Sequence, residues 1–194
     1  CAANHVAFES FLQEGTRVTG IAVRDQIDGT EFDIRATLVI NAAGPWRNAI
    51  LEKLSLNAQP LPYALALGMN AVFKRTLIPN YAAGLPCQEA GPDKGRLMFI
   101  VPWQGTTMAG TFYRHHTAGV DAMNPSEADT QRLLDQINSA HPSAELTLDD
   151  VARLHAGLLP CDRGRPEDSD PKLLRHYMLV DHAPRDAIDG LVTV

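Results

Sequence analysis

The sequence predicts an α+β fold, an antiparallel sheet with packed helices, on three observations. Short alternating or β-branched runs, each bounded by Gly, Pro or Asp turn residues, recur along the chain. One segment, Pro125 to Ala140, carries helical periodicity behind a capping signal. The 194 residues are 45% apolar and 21% charged, which suits one full core or two small ones and excludes disordered and collagen-like chains.

Taken in order, His5 to Leu12 and Arg17 to Arg24 alternate apolar with polar residues across the break Glu14-Gly15-Thr16, which predicts a hairpin. Asp28-Gly29-Thr30 supplies a second turn before Glu31 to Arg35. Thr37 to Ile40 is a short β-branched run suited to an interior strand. That strand ends at Asn41, and Gly44-Pro45 starts a helix running to Leu54, with Pro at the first position where its missing N–H costs nothing. Pro60 and Pro62 close the helix, and Ala64 to Arg75 is predicted as a strand. Arg96 to Trp103 and Thr106 to Tyr113 follow as strands joined by the turn Gln104-Gly105. In the Pro125 to Ala140 helix, Ser126 and Asp129 form the cap and Leu133, Leu134 and Ile137 the apolar face, with Pro142 as the stop. Val151 to Leu159 and Leu173 to Val180 complete the predicted strands.

A net charge of -6 argues against a nucleic-acid partner, because phosphate backbones demand a surplus of Lys and Arg. The longest apolar stretches fall short of the roughly 20 residues that a membrane span needs. Cys1, Cys87 and Cys161 are widely spaced, with no C-x-x-C pair and no His at ligand spacing, so neither a disulfide framework nor a metal site is indicated. A reducing, cytoplasmic setting fits best. The start at Cys1 and the stop within Leu191 to Val194 suggest a piece of a longer protein.

A strand ending in Asn41-Ala42-Ala43-Gly44-Pro45-Trp46 and turning into a helix puts backbone N–H groups at a strand's carboxyl edge, where α/β proteins seat anionic or nucleotide ligands. Leu38 to Trp46 resembles the second flavin-contacting loop of the family that includes FAD-dependent glycerol-3-phosphate dehydrogenases and D-amino-acid oxidases. Further segments match in the same order: Gly95 to Trp103 with Ala109-Gly110-Thr111, then Ala156-Gly157-Leu158-Leu159-Pro160, Leu174 to Tyr177, and Asp189 to Val194. The resemblance spans essentially the whole chain. It implies a flavin-dependent oxidoreductase acting on a small anionic substrate, with FAD as cofactor, and adds part of a flavin-binding α/β domain to the antiparallel substrate-domain sheet. Residues 1–46 and 189–194 would belong to the flavin domain and residues 47–188 to the substrate domain. No Gly-x-Gly-x-x-Gly turn occurs within these residues, so the chain alone is expected to bind FAD weakly. Peripheral contact of the parent with a membrane stays open.

In the residue-by-residue carry-over, Asn41, Ala42, Ala43, Gly44, Pro45 and Trp46 would face FAD, Arg175 would hold the substrate's anionic group, and His155 would be the general base. Four positions that are polar in the family are here Leu67, Asn70, Tyr113 and Leu159. That change favours a second reading, an oxidase or dehydrogenase of an amine, amino acid or hydroxy acid; a third is a noncatalytic module that kept the fold. Arg163 and Arg165 are candidates for a replacement anion site, against the plainer reading of solvated charges beside Glu167, Asp168 and Asp170. The pair His115-His116 reads as loop surface, since strand neighbours point to opposite faces.

Overall fold

The computed structural model describes residues 2–86, 97–163 and 170–194. Cys1, Cys87, Gly95, Arg96, Arg165, Glu167 and Asp168, which entered the readings above, lie outside the described residues. The chain is strand-rich with few helices and divides into two compact units, Cys1–Pro62 with Arg175–Val194, and Tyr63–Leu174.

The first unit opens with β1 (Val6–Glu14), β2 (Arg17–Asp25) and β3 (Glu31–Arg35), an antiparallel sheet in the order β1-β2-β3. Gly15 supplies the positive φ (59°) that the first turn requires. Phe11, Val18 and Val23 are buried, and the Phe8 and Phe11 rings meet edge to face at 4.8 Å between centroids. The next strand, β4 (Val39–Asn41), ends where the sequence places it, and a 3-10 turn (Gly44–Trp46) with Gly44 at φ +55° leads into α1 (Arg47–Leu51). Two expectations change here. Ile40 is 60% exposed, so β4 is not an interior strand of this chain, and α1 stops at Leu51 rather than Leu54 because Leu54 N–H turns back to the Leu51 carbonyl in a tighter i to i−3 bond.

The second unit is a five-stranded antiparallel sheet with one helix. Its strands are β5 (Ala64–Phe73), β6 (Ala83–Pro86), β7 (Leu97–Trp103), β8 (Thr106–His116) and, after α2 (Glu127–Ala140), β9 (Val151–Cys161), in the order β6-β7-β8-β5-β9. Gln104 and Gly105 both have positive φ, 47° and 78°, as a two-residue hairpin turn demands. Directly opposed residues in antiparallel pairs share a face, so the register assigns the sides. Leu67, Met69, Ala71 and Phe73 of β5 face α2 with Met98, Ile100, Ala109 and Phe112, and Leu133, Leu134 and Ile137 of the helix close that core. Ala66, Gly68, Asn70 and Val72 belong to the face turned away from α2.

The predicted cap of α2 is present: the Ser126 hydroxyl accepts from Asp129 N–H at 3.1 Å, and the Asp129 carboxylate accepts from Ser126 N–H at 2.8 Å. The same carboxylate binds Arg114 Nε of β8 at 2.7 Å, tying helix to sheet. Burial works to raise the Asp129 carboxyl, but Arg114 and the Ser126 backbone and hydroxyl hold it below the usual carboxylate range. Asp129→Ala removes the cap and strips a half-buried guanidinium of its partner, so a loss of about 2 kcal/mol in denaturant unfolding is expected. A loss below about 0.5 kcal/mol, the level of an ordinary surface substitution, would show that the cap contributes nothing beyond solvation.

The chain then returns to the first unit through β10 (Val180–Asp181), α3 (His182–Asp186) and β11 (Leu191–Thr193), with β11 parallel to β4 and antiparallel to β10. The strand expected over Leu173 to Val180 does not form. Leu173 makes one bridge to Cys161, and Leu174 N–H one bond to the Pro160 carbonyl, before Tyr177 (85% exposed) and Leu179 leave any strand partner; an apolar run without a neighbouring edge cannot satisfy its backbone as a strand. The compact units meet in sequence at Pro62/Tyr63 and Leu174/Arg175. Leu61 N–H donates to Asn48 Oδ1 (3.0 Å) and Ser55 N–H to Gln13 Oε1 (3.0 Å), which fasten residues 47–62 to the first unit. Gln59 N–H donates to Asp186 Oδ1 (3.2 Å) and Arg185 to the Pro60 carbonyl (2.9 Å), which fasten the return segment to it.

Candidate functional site

In the first unit the candidate is the loop Asn41 to Trp46. Asn41 is buried, and its side chain works inward: Nδ2 donates to the Arg47 carbonyl (3.1 Å) and Oδ1 accepts from Ala43 N–H (3.3 Å), so it fixes the turn rather than reaching outward. The Arg47 guanidinium donates to the Val194 carbonyl (2.8 Å) and Val194 N–H to the Asn41 carbonyl (3.0 Å), clamping the loop between β4 and β11. Ala42 is exposed, Trp46 stands 36% exposed, and a side chain at Gly44 would meet nothing within 4 Å. The turn thus presents bare backbone at a strand's carboxyl end. A five-residue helix adds little dipole to it, so a ligand here would meet backbone groups.

In the second unit the candidate is the sheet face turned away from α2. The register places His155 opposite Asn70, which is itself opposite Gly110; Gly157 opposite Gly68, which is opposite Tyr113; and Leu159 opposite Ala66, which is opposite His115. One face therefore collects the general-base candidate and the Leu159 position, and Thr111, in the middle of β8, lines a depression with Tyr113 of that face. The Asn70 side chain lies against Gly110, where a Cβ would collide with Asn70 Oδ1. Leu97, Phe99, Thr111 and Tyr113 line a shallow depression of about 320 Å³. Its exposed apolar members, Leu97 (43%) and Phe99 (51%), occupy neighbouring same-face positions on β7.

His115 and His116 are strand residues, not loop surface as expected. They point to opposite faces, and His116 is buried with Nε2 at 3.1 Å from the Gly119 carbonyl. His115 Nδ1 stands 4.0 Å from the buried Cys161 thiol. Burial, helped by the Asp162 charge, pushes that thiol up, which keeps it protonated and unreactive. Arg163 donates to the Tyr63 carbonyl (2.9 Å), a structural use. Arg175 lies in exposed coil at the start of the return segment and belongs to the first unit, not to a strand of the sheet. No group of His, Cys, Asp and Glu among the described residues is arranged to hold a metal ion.

Sequence reasoning missed a wholly buried cluster in the first unit. His182 Nδ1 is 2.6 Å from Asp186 Oδ2, and Nε2 is 2.8 Å from Thr193 Oγ1. The i, i+4 spacing of His182 and Asp186 was the available signal. It also missed Asn70 as the neighbour of His155, a pairing across 85 positions that only register reveals.

The sequence profile of the FAD dependent oxidoreductase family, DAO, matches residues 8–185. An alpha-glycerophosphate oxidase of Streptococcus pneumoniae is 30% identical over 167 residues, which is 84% of this chain and 26% of the relative. A glycerol-3-phosphate dehydrogenase of Synechocystis is 26% identical over 98% of this chain and 35% of its own length. Among solved structures, the glycerol-3-phosphate dehydrogenase from Bacillus halodurans complexed with FAD superposes with a TM-score of 0.73 at 25% identity, over 98% of this chain and 34% of that one. The L-proline dehydrogenase from P. horikoshii shares the fold with a TM-score of 0.56 at 13% identity over 97% of this chain and 43% of that one. The chain thus spans between a quarter and a half of these proteins' lengths.

Proposed function

The chain belongs to the FAD dependent oxidoreductase family, and from that premise we propose that it is the substrate-binding part, with one flavin-side loop, of an enzyme that oxidises a small anionic hydroxy or amino compound. On this reading the unit Tyr63–Leu174 is the α+β substrate-binding domain, and the other unit is part of the flavin-binding α/β domain. The observation that carries it is the gathering of His155, Asn70, Gly157, Leu159 and Tyr113 on the single sheet face turned away from α2.

Bound FAD supplies the electron sink for the oxidised substrate carbon. The Asn41 to Trp46 loop offers it backbone groups, held in place by the inward bonds of Asn41. His155, exposed on the edge strand β9, takes the proton from the substrate's hydroxyl or amine. Arg175, a planar five-donor fork with no acid bound to it among the described residues, binds the substrate's anionic group. Among the described residues no helix is long and apolar enough to cross a membrane, and a cytoplasmic setting is part of the proposal.

In the full-length, flavin-loaded parent, His155→Gln should lower kcat about a hundredfold, with flavin content and thermal unfolding unchanged. Arg175→Ala should cost one charge-assisted contact, about a tenfold to hundredfold loss in kcat/KM. Undiminished turnover in His155→Gln across pH 6 to 9 would remove the general-base role.

A further inference from the structure

On the substrate face, β9 carries three positions in a row along one side: His155, Gly157 and Leu159. Alternate residues of a strand lie roughly 6.6 Å apart, so His155 and Leu159 are separated by about 13 Å with Gly157 midway. A Cβ at Gly157 would meet nothing within 4 Å, and its φ is not in the left-handed region. The glycine is therefore required neither by the backbone nor by packing, and its effect is to leave a gap between an imidazole and an apolar side chain.

Beyond the gap Leu159 and Tyr113 cover the face, with His115 at the next same-face position of β8. The Leu159 and Tyr113 side chains lean over the backbone of Gly68 from the two flanking strands, Leu159 Cδ1 at 2.7 Å and Tyr113 Cε1 at 3.1 Å from where a Cβ of Gly68 would lie. The depression lined by Leu97, Phe99, Thr111 and Tyr113 continues that surface. By the register, Arg153 is the single Lys or Arg among the described residues of this face, and it lies beyond His155, on the side away from Leu159. A phosphate seated against Leu159 would lose its water without gaining a donor from that side chain.

We infer that the gap at Gly157 receives the reacting end of the substrate, within reach of His155, and that Leu159 with Tyr113 selects an uncharged apolar substituent. The preferred substrate is then a hydroxy or amino acid with a branched aliphatic or aromatic side chain, not a phosphate monoester. The inference rests on the assignment of this face as the substrate face.

The experiment uses the full-length, flavin-loaded parent and follows flavin reduction by glycerol 3-phosphate, lactate, alanine, leucine, 2-hydroxyisocaproate, phenylalanine and phenyllactate. The wild type should give kcat/KM values at least about tenfold higher for the best bulky apolar substrate than for glycerol 3-phosphate, lactate and alanine. Gly157→Val should raise KM at least about tenfold while flavin content and Tm stay at the wild-type values, since a side chain there has open space. Leu159→Arg should cut the preference for apolar substrates about tenfold. A wild type that prefers glycerol 3-phosphate, or Gly157→Val and Leu159→Arg variants with unchanged selectivity alongside a crippled His155→Gln, overturns this inference and leaves the face assignment standing. Unaltered turnover in all three variants overturns the face assignment, and the inference with it.

Discussion

His182→Ala is expected to destabilise the protein by about 3 to 5 kcal/mol, because it leaves the buried Asp186 carboxylate without its ring partner. The His182 and Asp186 side chains are 0% and 1% exposed, and Thr193 is fully buried. A carboxylate oxygen only accepts, so Nδ1 of His182 donates to Asp186, while Nε2 is hydrogen-bonded with the Thr193 hydroxyl. Asp186 Oδ1 accepts in turn from Gln59 N–H. The network therefore joins α3, β11 and the segment after α1, and through the pairing of Thr193 with Asn41 it holds the strand that ends in the Asn41 to Trp46 loop. Burial works to raise the Asp186 carboxyl, yet the His182 bond, the Gln59 N–H and the Arg185 and His182 charges hold it below the ordinary carboxylate range.

The sign of the pH dependence follows from that depression. A carboxyl with a lowered folded pKa contributes stability that is fully present above the unfolded value, about 3.9, and is lost as pH falls through the folded value. Urea unfolding of wild type and His182→Ala at pH 7 measures the first effect, and a difference under 1 kcal/mol would mean that the ring is not a member of the network. Acid unfolding of Asp186→Asn should show a weaker loss of stability below about pH 4 than the wild type, because the titrating partner is gone.

What the sequence revealed and what it hid divide along physical lines. Local chemistry was legible: the Gly15 turn, the Ser126 cap with Asp129, the Gln104-Gly105 turn and the strand end at Asn41 each depend on residues a few positions apart. Elements too short to repeat their pattern more than once or twice were not, which is why α3, with five residues, and β6, with four, went unseen. Leu173 to Val180 shows the opposite error. Its apolar residues suit a strand, but strand formation requires a partner edge, and within this run Leu173 makes a single bridge and Val180 alone pairs, in the two-residue β10 with β11. The candidate site followed the same rule. His155, Gly157 and Leu159 share a face by strict alternation along β9 and could be grouped from sequence, whereas Asn70 and Tyr113 join them through a register that includes a shift at Met69/Asn70.

Gly190→Ala should cost about 2 to 5 kcal/mol, more than any other glycine-to-alanine exchange in the turns of the first unit. Gly190 has φ +73°, a conformation that costs an L side chain roughly 1 to 2 kcal/mol. A Cβ there would also collide with the Val18 carbonyl oxygen and stand 3.5 Å from that of Thr37, and crowding of this kind typically adds 1 to 3 kcal/mol. Neither carbonyl can withdraw without loss of backbone bonds: the turn is stitched on both sides, Val18 N–H to the Asp189 carbonyl (2.8 Å) and Val39 N–H to the Gly190 carbonyl (2.9 Å), with Asp189 N–H to the Thr16 carbonyl (3.0 Å). The return segment is thus threaded between the start of β2 and the start of β4, and Leu191 then pairs with Val39. Gly15→Ala is the internal control, because Gly15 has a similar φ of +59° but open space around it, so it should lose only the conformational part, about 1 kcal/mol. Denaturant unfolding of the two variants side by side isolates the collision as the difference between them. Equal losses would show that the backbone at Val18 yields freely and that the close approach of β11 to β2 does not constrain the strand leading to the Asn41 to Trp46 loop.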